Sequence, residues 1–435
     1  MNRHQEIKVI LERSQFQIKP RLWCLLLLLI LAGILTFIGG LLVGEATLVW
    51  QSLLVNFLFF SGLSVGGLMF SVIFTITNAV WGRPIKRLAE AMIGFLPIAA
   101  VFMILLFFGA QYLYQWIDPS LVIQSKAGWL NFPFFIGRQV FLFCLFGLLS
   151  WFYLKASLRP DIALAKNLIG FGNAFSDTFI RNFGDPVSEE KQSLKISKLL
   201  APYIAILFVV MSTLIAFDWI MSLDQEWFST LFGLQYTMAS LLSAAAALII
   251  ISGIARQTLN LDMYFTIRRH HDISKLTFAG CLIWTYLVFS QVLVIWYGNL
   301  PKETPYLLLR MQSLEWGYMF WIVLSLLFTI PLLGLMSRTA CQSIWFSRLV
   351  AVEILIGLWL EKYLLIVPSV QENSLAGKVK NTRLPGLDVN LYDVFLTLGM
   401  LATFLACFFW FLKRVPVLPI ADRYLMEEKG IRPRL

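Results

Sequence analysis

Apolar residues along this chain gather in long blocks, separated by short stretches that carry most of the charge. A helix needs about 20 predominantly apolar residues to cross the hydrocarbon core of a bilayer. Inside lipid it satisfies its own backbone hydrogen bonds, which favours helices over open strands. The blocks predict helices at roughly 22–43, 48–78, 91–116, 132–157, 199–221, 228–254, 274–297, 312–337, 341–366 and 391–412. The second is long enough to be tilted or to project beyond the membrane. The pattern therefore predicts an all-α integral membrane protein of about ten transmembrane helices. It forms a single domain over 22–412, between polar tails at 1–21 and 413–435.

Composition agrees. Of 435 residues, 59% are hydrophobic and only 14% charged, whereas a soluble surface takes about 25% charged residues. The net charge of +10 lies in the loops and reports topology, so nucleic acid is not an expected partner. Of 35 Lys and Arg, only Lys126, Arg138, Lys302, Arg310, Lys362, Lys378, Lys380 and Arg383 fall on one side of the predicted helices. The positive-inside rule makes that side the outer one and places both termini in the cytoplasm, as an even helix number requires. Tryptophans near both helix ends, such as Trp129 and Trp219 outside and Trp81 and Trp410 inside, form the expected interfacial belts. The run Leu22–Val43 is too long for the apolar part of a signal peptide and reads as the first span. The longest inner connection, 158–198, reads as a surface-lying stretch (Ala163–Phe179) or as a solvated loop. The outer segment 367–390 is long enough to dock a partner.

Some chemistry is missing. The three histidines, His4, His270 and His271, lie in the tail and in an inner loop. A haem between helices needs axial ligands at bilayer depth, and no Cys-x-x-Cys-His or grouped cysteines offer covalent haem or an iron–sulfur cluster. Cys24, Cys144, Cys281, Cys341 and Cys407 each stand alone in an apolar block and read as packing residues. No phosphate-binding glycine loop is present. The chain is expected to bind no metal or redox cofactor of its own and to hold no catalytic residue.

Ionisable residues within the hydrocarbon cost about 2.5–3.5 kcal/mol each on insertion scales, so each needs a reason. Glu353 stands in the middle of the ninth segment (LVAVEILIGLW) and reads either as a proton-exchanging group or as a buried structural partner. Glu361 lies eight residues on, roughly on the same face, and its neighbour Lys362 is expected to snorkel to the interface. Arg138 lies about two turns inside the fourth helix and needs an anion, for which Glu353, Glu361 or Glu315 are candidates. Asp218, Asp224, Glu226, Asp118, Glu315 and Asp393 gather near the outer ends. Glu90 is placed at the inner start of the third helix, where a carboxylate suits the helix dipole. These positions give acids at the outer mouth, the middle and the inner mouth, the pattern of a proton-conducting bundle. The polar residues Asn56, Ser61, Ser64, Ser71, Thr75 and Asn78 of the second helix read as cement for helix packing or as a hydrated path.

Several segments resemble one family. FDWIMSLDQEWFSTLFG (Phe217–Gly233), KAGWLNFPFFIGRQ (Lys126–Gln139), FSQVLVIWYGNLPKET (Phe289–Thr304), WLEKYLLIVP (Trp359–Pro368) and RPIKRLAEAM (Arg83–Met92) are similar to segments of the F subunit of alternative complex III. That complex is a bacterial quinol:cytochrome c oxidoreductase, and its F subunit is itself related to the membrane subunit of polysulfide reductase. The resemblance implies two four-helix bundles, about 48–221 and 228–366, with the first and last helices peripheral. It implies a multi-pass protein of the bacterial inner membrane that scaffolds the complex without redox centres of its own. The acids read above add proton transfer as an expected role, with Glu353, Glu361, Arg138, Asp218, Glu226, Glu315, Asp393 and Glu90 as its candidates. The implied partners are a multihaem cytochrome c subunit, a periplasmic iron–sulfur subunit, the C subunit, small membrane subunits, lipid and, further out, a haem–copper oxidase. Haem c and iron–sulfur clusters then belong to those partners, and quinol is the substrate of the whole complex. The family commonly has Pro-His where this chain has Gln225-Glu226, and an Asp where it has Glu361. If that His serves outer-side proton exchange, Glu226 stands in for it. Two other readings compete. One is a quinol-oxidising subunit of the polysulfide-reductase type, with Asp218 and Gln291 facing the two quinone oxygens. The other is a secondary transporter, which predicts an inverted repeat with broken helices; Gly66-Gly67 and Pro97 interrupt helices, but not at corresponding places in two halves.

Overall fold

The computed structural model describes residues 8–9, 11–12, 19–170, 174–181, 183–313, 316–375, 390–422 and 425, and within these it is helical, with no strand. Nine helices among the described residues are long and apolar enough to cross a membrane. They are α1 (Pro20–Val43), α2 (Ala46–Ile76), α3 (Arg83–Leu113), α4 (Phe132–Ile169), α5 (Pro186–Leu223), α6 (Phe232–Leu259), α7 (Ile267–Gly298), α8 (Gly317–Leu335) and α10 (Leu391–Leu412). A further long helix, α9 (Ile344–Leu375), carries Glu353, Glu361 and Lys362 and packs between α2, α6 and α8. The short helix Thr304–Met311 precedes α8. Inner and outer below denote the sides assigned by the charge asymmetry.

The centre of the fold is α2. Nearly every residue from Val49 to Phe74 is buried, because α3, α5, α6, α9 and α10 all pack on it. A helix apolar all round is one surrounded on every side. At the edge, α1 pairs with α10, where the backbones of Gly33 and Gly399 meet. The rest of α1 leaves Leu25, Leu27, Leu28 and Leu31 exposed, a surface suited to lipid.

The polar residues of α2 cement packing. Ser64 donates to the Met92 carbonyl (2.9 Å), where α3 passes through a 3₁₀ turn. Thr75 meets the Tyr153 hydroxyl of α4 (2.7 Å). Asn56 accepts from the Trp359 indole of α9 (3.0 Å). Asn78 takes a left-handed conformation (φ 50°) just past the end of α2, as Asn does more readily than most residues. Gly66 lets α2 touch α6: a Cβ there would collide with the Ser240 carbonyl, a rigid backbone group. Gly66→Ala is expected to force the two helices apart and cost about 1–3 kcal/mol. Unfolding in detergent checks this, and Gly39→Ala, which meets nothing, is the neutral control.

Two expectations about the connections change. The fourth helix does not end at 157 but runs unbroken to Ile169, and α5 begins at Pro186, capped by Asp185. The 158–198 connection is therefore mostly helix, with a short segment, Ala174–Ile180, between the two. Pro160 explains why the sequence suggested a break. It lacks an N–H and orphans the carbonyl of Ala156, but Ser193 Oγ of α5 donates to that carbonyl, so the helix continues. His270 and His271 also lie in the first turn of α7 rather than in a loop, and both are buried. His270 Nε2 meets Ser347 Oγ of α9 at 2.6 Å.

Candidate functional site

The outer end of the first half of the chain is organised around Asp218, which is fully buried. It sits on a π-helical turn, Ala216–Ile220, that ends the long helix of α5. Such turns are rare and often mark functional positions. Arg138 of α4 grips the carboxylate with two hydrogen bonds, Nε to Oδ2 at 2.6 Å and Nη2 to Oδ1 at 2.7 Å. Gln139 Nε2 (2.5 Å) and the Trp129 indole N–H (3.0 Å) complete the shell. The Arg138 guanidinium also lies over the Trp129 ring, 4.0 Å from its centre. Arg138 was expected to find Glu353, Glu361 or Glu315. It finds Asp218 instead, because α4 and α5 pack side by side and bring residues 80 positions apart together. With four donors around it, Asp218 is a satisfied anion. Beside it, Lys126 donates to the Gln225 carbonyl (2.5 Å). Burial pushes its ammonium group below the ordinary lysine value, while nearby Asp224 and Glu226 oppose that shift. Glu226 itself is exposed in this outer loop.

The outer end of the second half repeats the same donor chemistry around another acid. Glu361 on α9 is buried. Its Oε1 accepts from Gln235 (2.8 Å) and the Trp284 indole (2.8 Å), and Oε2 pairs with Lys362 (2.5 Å). Each acid thus has one cation, one glutamine and one tryptophan. Lys362 does not snorkel: it is 3% exposed, because Glu361 draws its ammonium inward and the Tyr236 ring lies 5.0 Å from it. Gln291 of α7 donates to Gln235 Oε1 at 2.6 Å. Asp218 and Gln291, paired in the quinol-oxidising reading, belong to different clusters and do not face one site.

Close by, Arg310 from the short helix Thr304–Met311 is buried against α9. Pro368 leaves the Leu364 carbonyl without its helical donor, and Arg310 Nε supplies one (3.2 Å). Nη2 reaches the Leu365 carbonyl (3.0 Å) and Ser369 Oγ (2.6 Å). The guanidinium stacks on Tyr306, and Tyr306 stacks in turn on Trp227 with ring centres 3.8 Å apart. Sequence reading passed over Arg310. The signal that could have found it was a proline inside a helix, whose freed carbonyl needs a donor, together with an arginine in the outer connection before the eighth span.

At the inner end Glu90 does not start a helix. It is fully buried on the short helix Lys86–Ala91, within the α3 segment. Ser71 (2.8 Å) and Ser157 (2.7 Å) donate to it, and Arg87 pairs with both Glu90 and Asp161. Asp161 Oδ1 also accepts from the Ala421 N–H (2.7 Å), tying down the C-terminal segment. Asp393 caps α10 and binds Ser52 and Tyr363 (3.2 Å). That pins the outer start of α10 to α2 and α9. Glu315 lies outside the described residues.

Glu353 stands apart. Both of its carboxylate oxygens are buried and neither has a hydrogen-bond partner among the described residues. Buried polar groups are nearly always paired, so this carboxyl needs another explanation. By helical rise it lies on α9 about 9 Å from Ser347, which meets His270, and about 12 Å from Glu361. The structure therefore separates the buried predicted acids into four bonded clusters, around Asp218, Glu361, Glu90 and Asp393, and one group, Glu353, unpartnered among the described residues. Among the described residues no three His, Cys, Asp or Glu gather where they could hold a metal ion. No family model and no curated protein matches this chain.

Proposed function

We propose that this chain is a membrane subunit, without redox centres of its own, of a respiratory quinol:cytochrome c oxidoreductase of the alternative complex III type. It lies in a bacterial inner membrane with both termini inside, and its ten helices form two bundles with α1 and α10 peripheral. It scaffolds the complex and passes protons through Glu353. The ordered segments Arg83–Met92, Lys126–Gln139, Phe217–Gly233, Phe289–Thr304 and Trp359–Pro368 support the family. The observation that carries the proton role is the buried carboxyl of Glu353, which has no hydrogen-bond partner among the described residues.

A carboxyl held in place for structure has partners, as Asp218, Glu361 and Glu90 do here. One without partners stabilises nothing in its charged form but can carry a proton between hydrated regions. The His270–Ser347 contact lies on its inner side and the Glu361 cluster on its outer side. The bonded acids keep the helices in register, and Glu353 is the group left free to exchange.

Purification through a tag on this chain in mild detergent, read by mass spectrometry and a redox difference spectrum, tests the assignment. c-type haem and a large iron–sulfur subunit are expected to co-purify. A colourless protein without partners would sink the respiratory reading and leave a transporter as the better one. In the purified complex reconstituted into vesicles, Glu353→Gln is expected to keep quinol oxidation and stability while proton translocation falls at least about tenfold, as for loss of a positioned proton carrier. Unchanged proton translocation would remove Glu353 from the path.

A further inference from the structure

The outer half of α6–α9 encloses a cavity of about 640 Å³, counting its open mouth. Its wall is mostly apolar and aromatic, with Trp284, Phe232 and Phe320 among its rings and Gln235, Gln291 and Glu361 grouped as polar residues. The enclosed part is only about 70 Å³, so an occupant also fills the mouth open toward the bilayer, and a mostly apolar lining with a few polar groups suits a small organic ligand. α7 packs against the inner part of α8 and parts from its outer turns. Half-buried Val288, Val292, Phe320 and Leu324 line the seam. An apolar molecule dissolved in the bilayer has a lateral way in.

The polar group offered there has a defined sense. Glu361 Oε1 is an acceptor, so Gln235 turns its NH₂ group toward it. The Gln235 oxygen then faces Gln291, which gives its own NH₂ group to it and to the Leu287 carbonyl. The amide relay leaves the Gln291 oxygen as the free end, on a side chain 7% exposed and with no partner among the described residues. That oxygen keeps some exposure on a residue of the cavity wall, so a donor carried by a ligand can reach it. Tyr306 Oη and Trp227 Nε1, on residues of the same wall, are buried without a partner among the described residues.

We infer that this cavity binds a lipid-soluble molecule with an apolar body and a hydroxyl group that donates to Gln291 Oε1. Two sources share that chemistry: a membrane hydroquinone and a glyceride with a free hydroxyl. The inference concerns the chain alone and does not rest on the haem-bearing partners, so it and the respiratory assignment can fail separately.

The test uses the full chain in nanodiscs, with binding read by native mass spectrometry. The probes are 2-decylhydroquinone, the corresponding 2-decyl-1,4-benzoquinone and 1,2-dioctanoylglycerol. A probe with a hydroxyl is expected to bind one to one, about tenfold tighter than the benzoquinone, which has no proton to donate. Gln291→Leu is expected to erase that preference. Preference for the hydroquinone points to a redox lipid, and preference for dioctanoylglycerol to a glyceride. Equal or tighter binding of the benzoquinone, no binding of any probe, or a preference that survives Gln291→Leu would overturn the inference. The comparison of probes on the unmutated chain stands even where the variant fails to fold.

Discussion

Arg138→Leu is expected to be among the most damaging single substitutions in this protein, lowering stability by about 3–5 kcal/mol, the usual cost of removing one partner from a buried ion pair. The change leaves Asp218, fully buried, with only Gln139 and Trp129 as donors. It also removes the contacts of the guanidinium with the Trp129 and Phe134 rings. The loss is largely the cost of stranding the carboxylate. The double variant Arg138→Leu/Asp218→Leu should therefore recover much of it, giving a strongly non-additive cycle. Thermal unfolding in detergent, followed by circular dichroism, measures both. A double variant as unstable as the sum of the singles would show that the pair acts through something other than mutual neutralisation.

Arg310→Leu is the second large effect, at about 3 kcal/mol. It returns the Leu364 carbonyl to the orphaned state created by Pro368 and removes the donors to the Leu365 carbonyl and Ser369. It also takes away the cation from the Tyr306–Trp227 stack. Arg310→Lys should rescue only in part, since an ammonium group cannot reproduce the planar fork that reaches several acceptors at once. Restoring an N–H with Pro368→Ala in the Arg310→Leu background should recover stability, because the Leu364 carbonyl regains its helical donor. Unfolding midpoints for the three variants decide it. No recovery in the double variant would show that the proline-freed carbonyl is not what Arg310 serves.

Much of the fold was legible because membrane insertion writes itself into sequence. The requirement for about 20 apolar residues per span located the apolar core of each long helix, although several run 7–13 residues beyond the expected ends. The excess of polar side chains on α2 correctly suggested packing, since Ser64, Thr75 and Asn56 bond to neighbouring helices. The ends of α4 and α5 were misjudged because Pro160 and the polar run Asp185–Lys195 look like loop signals. A helix whose freed carbonyl finds a donor on a neighbour does not need to stop there.

The candidate site was legible only residue by residue. Length, hydropathy and the position of each charge are local properties, and from them the sequence alone determined an all-helical chain built for a membrane, with Glu353, Glu361, Arg138 and Asp218 as the costly residues needing a reason. Which acid meets which base is a matter of helix packing, and only the tertiary structure decided it. Arg138 pairs with Asp218 because α4 lies along α5. Lys362 turns inward because Glu361 stands beside Gln235 and Trp284. Among the described residues Glu353 is left without a partner, because no donor from α6, α7 or α8 reaches it. In a medium without water to satisfy a stray charge, a polar side chain takes its role from what stands opposite it, and that is set by contacts between residues far apart in the chain.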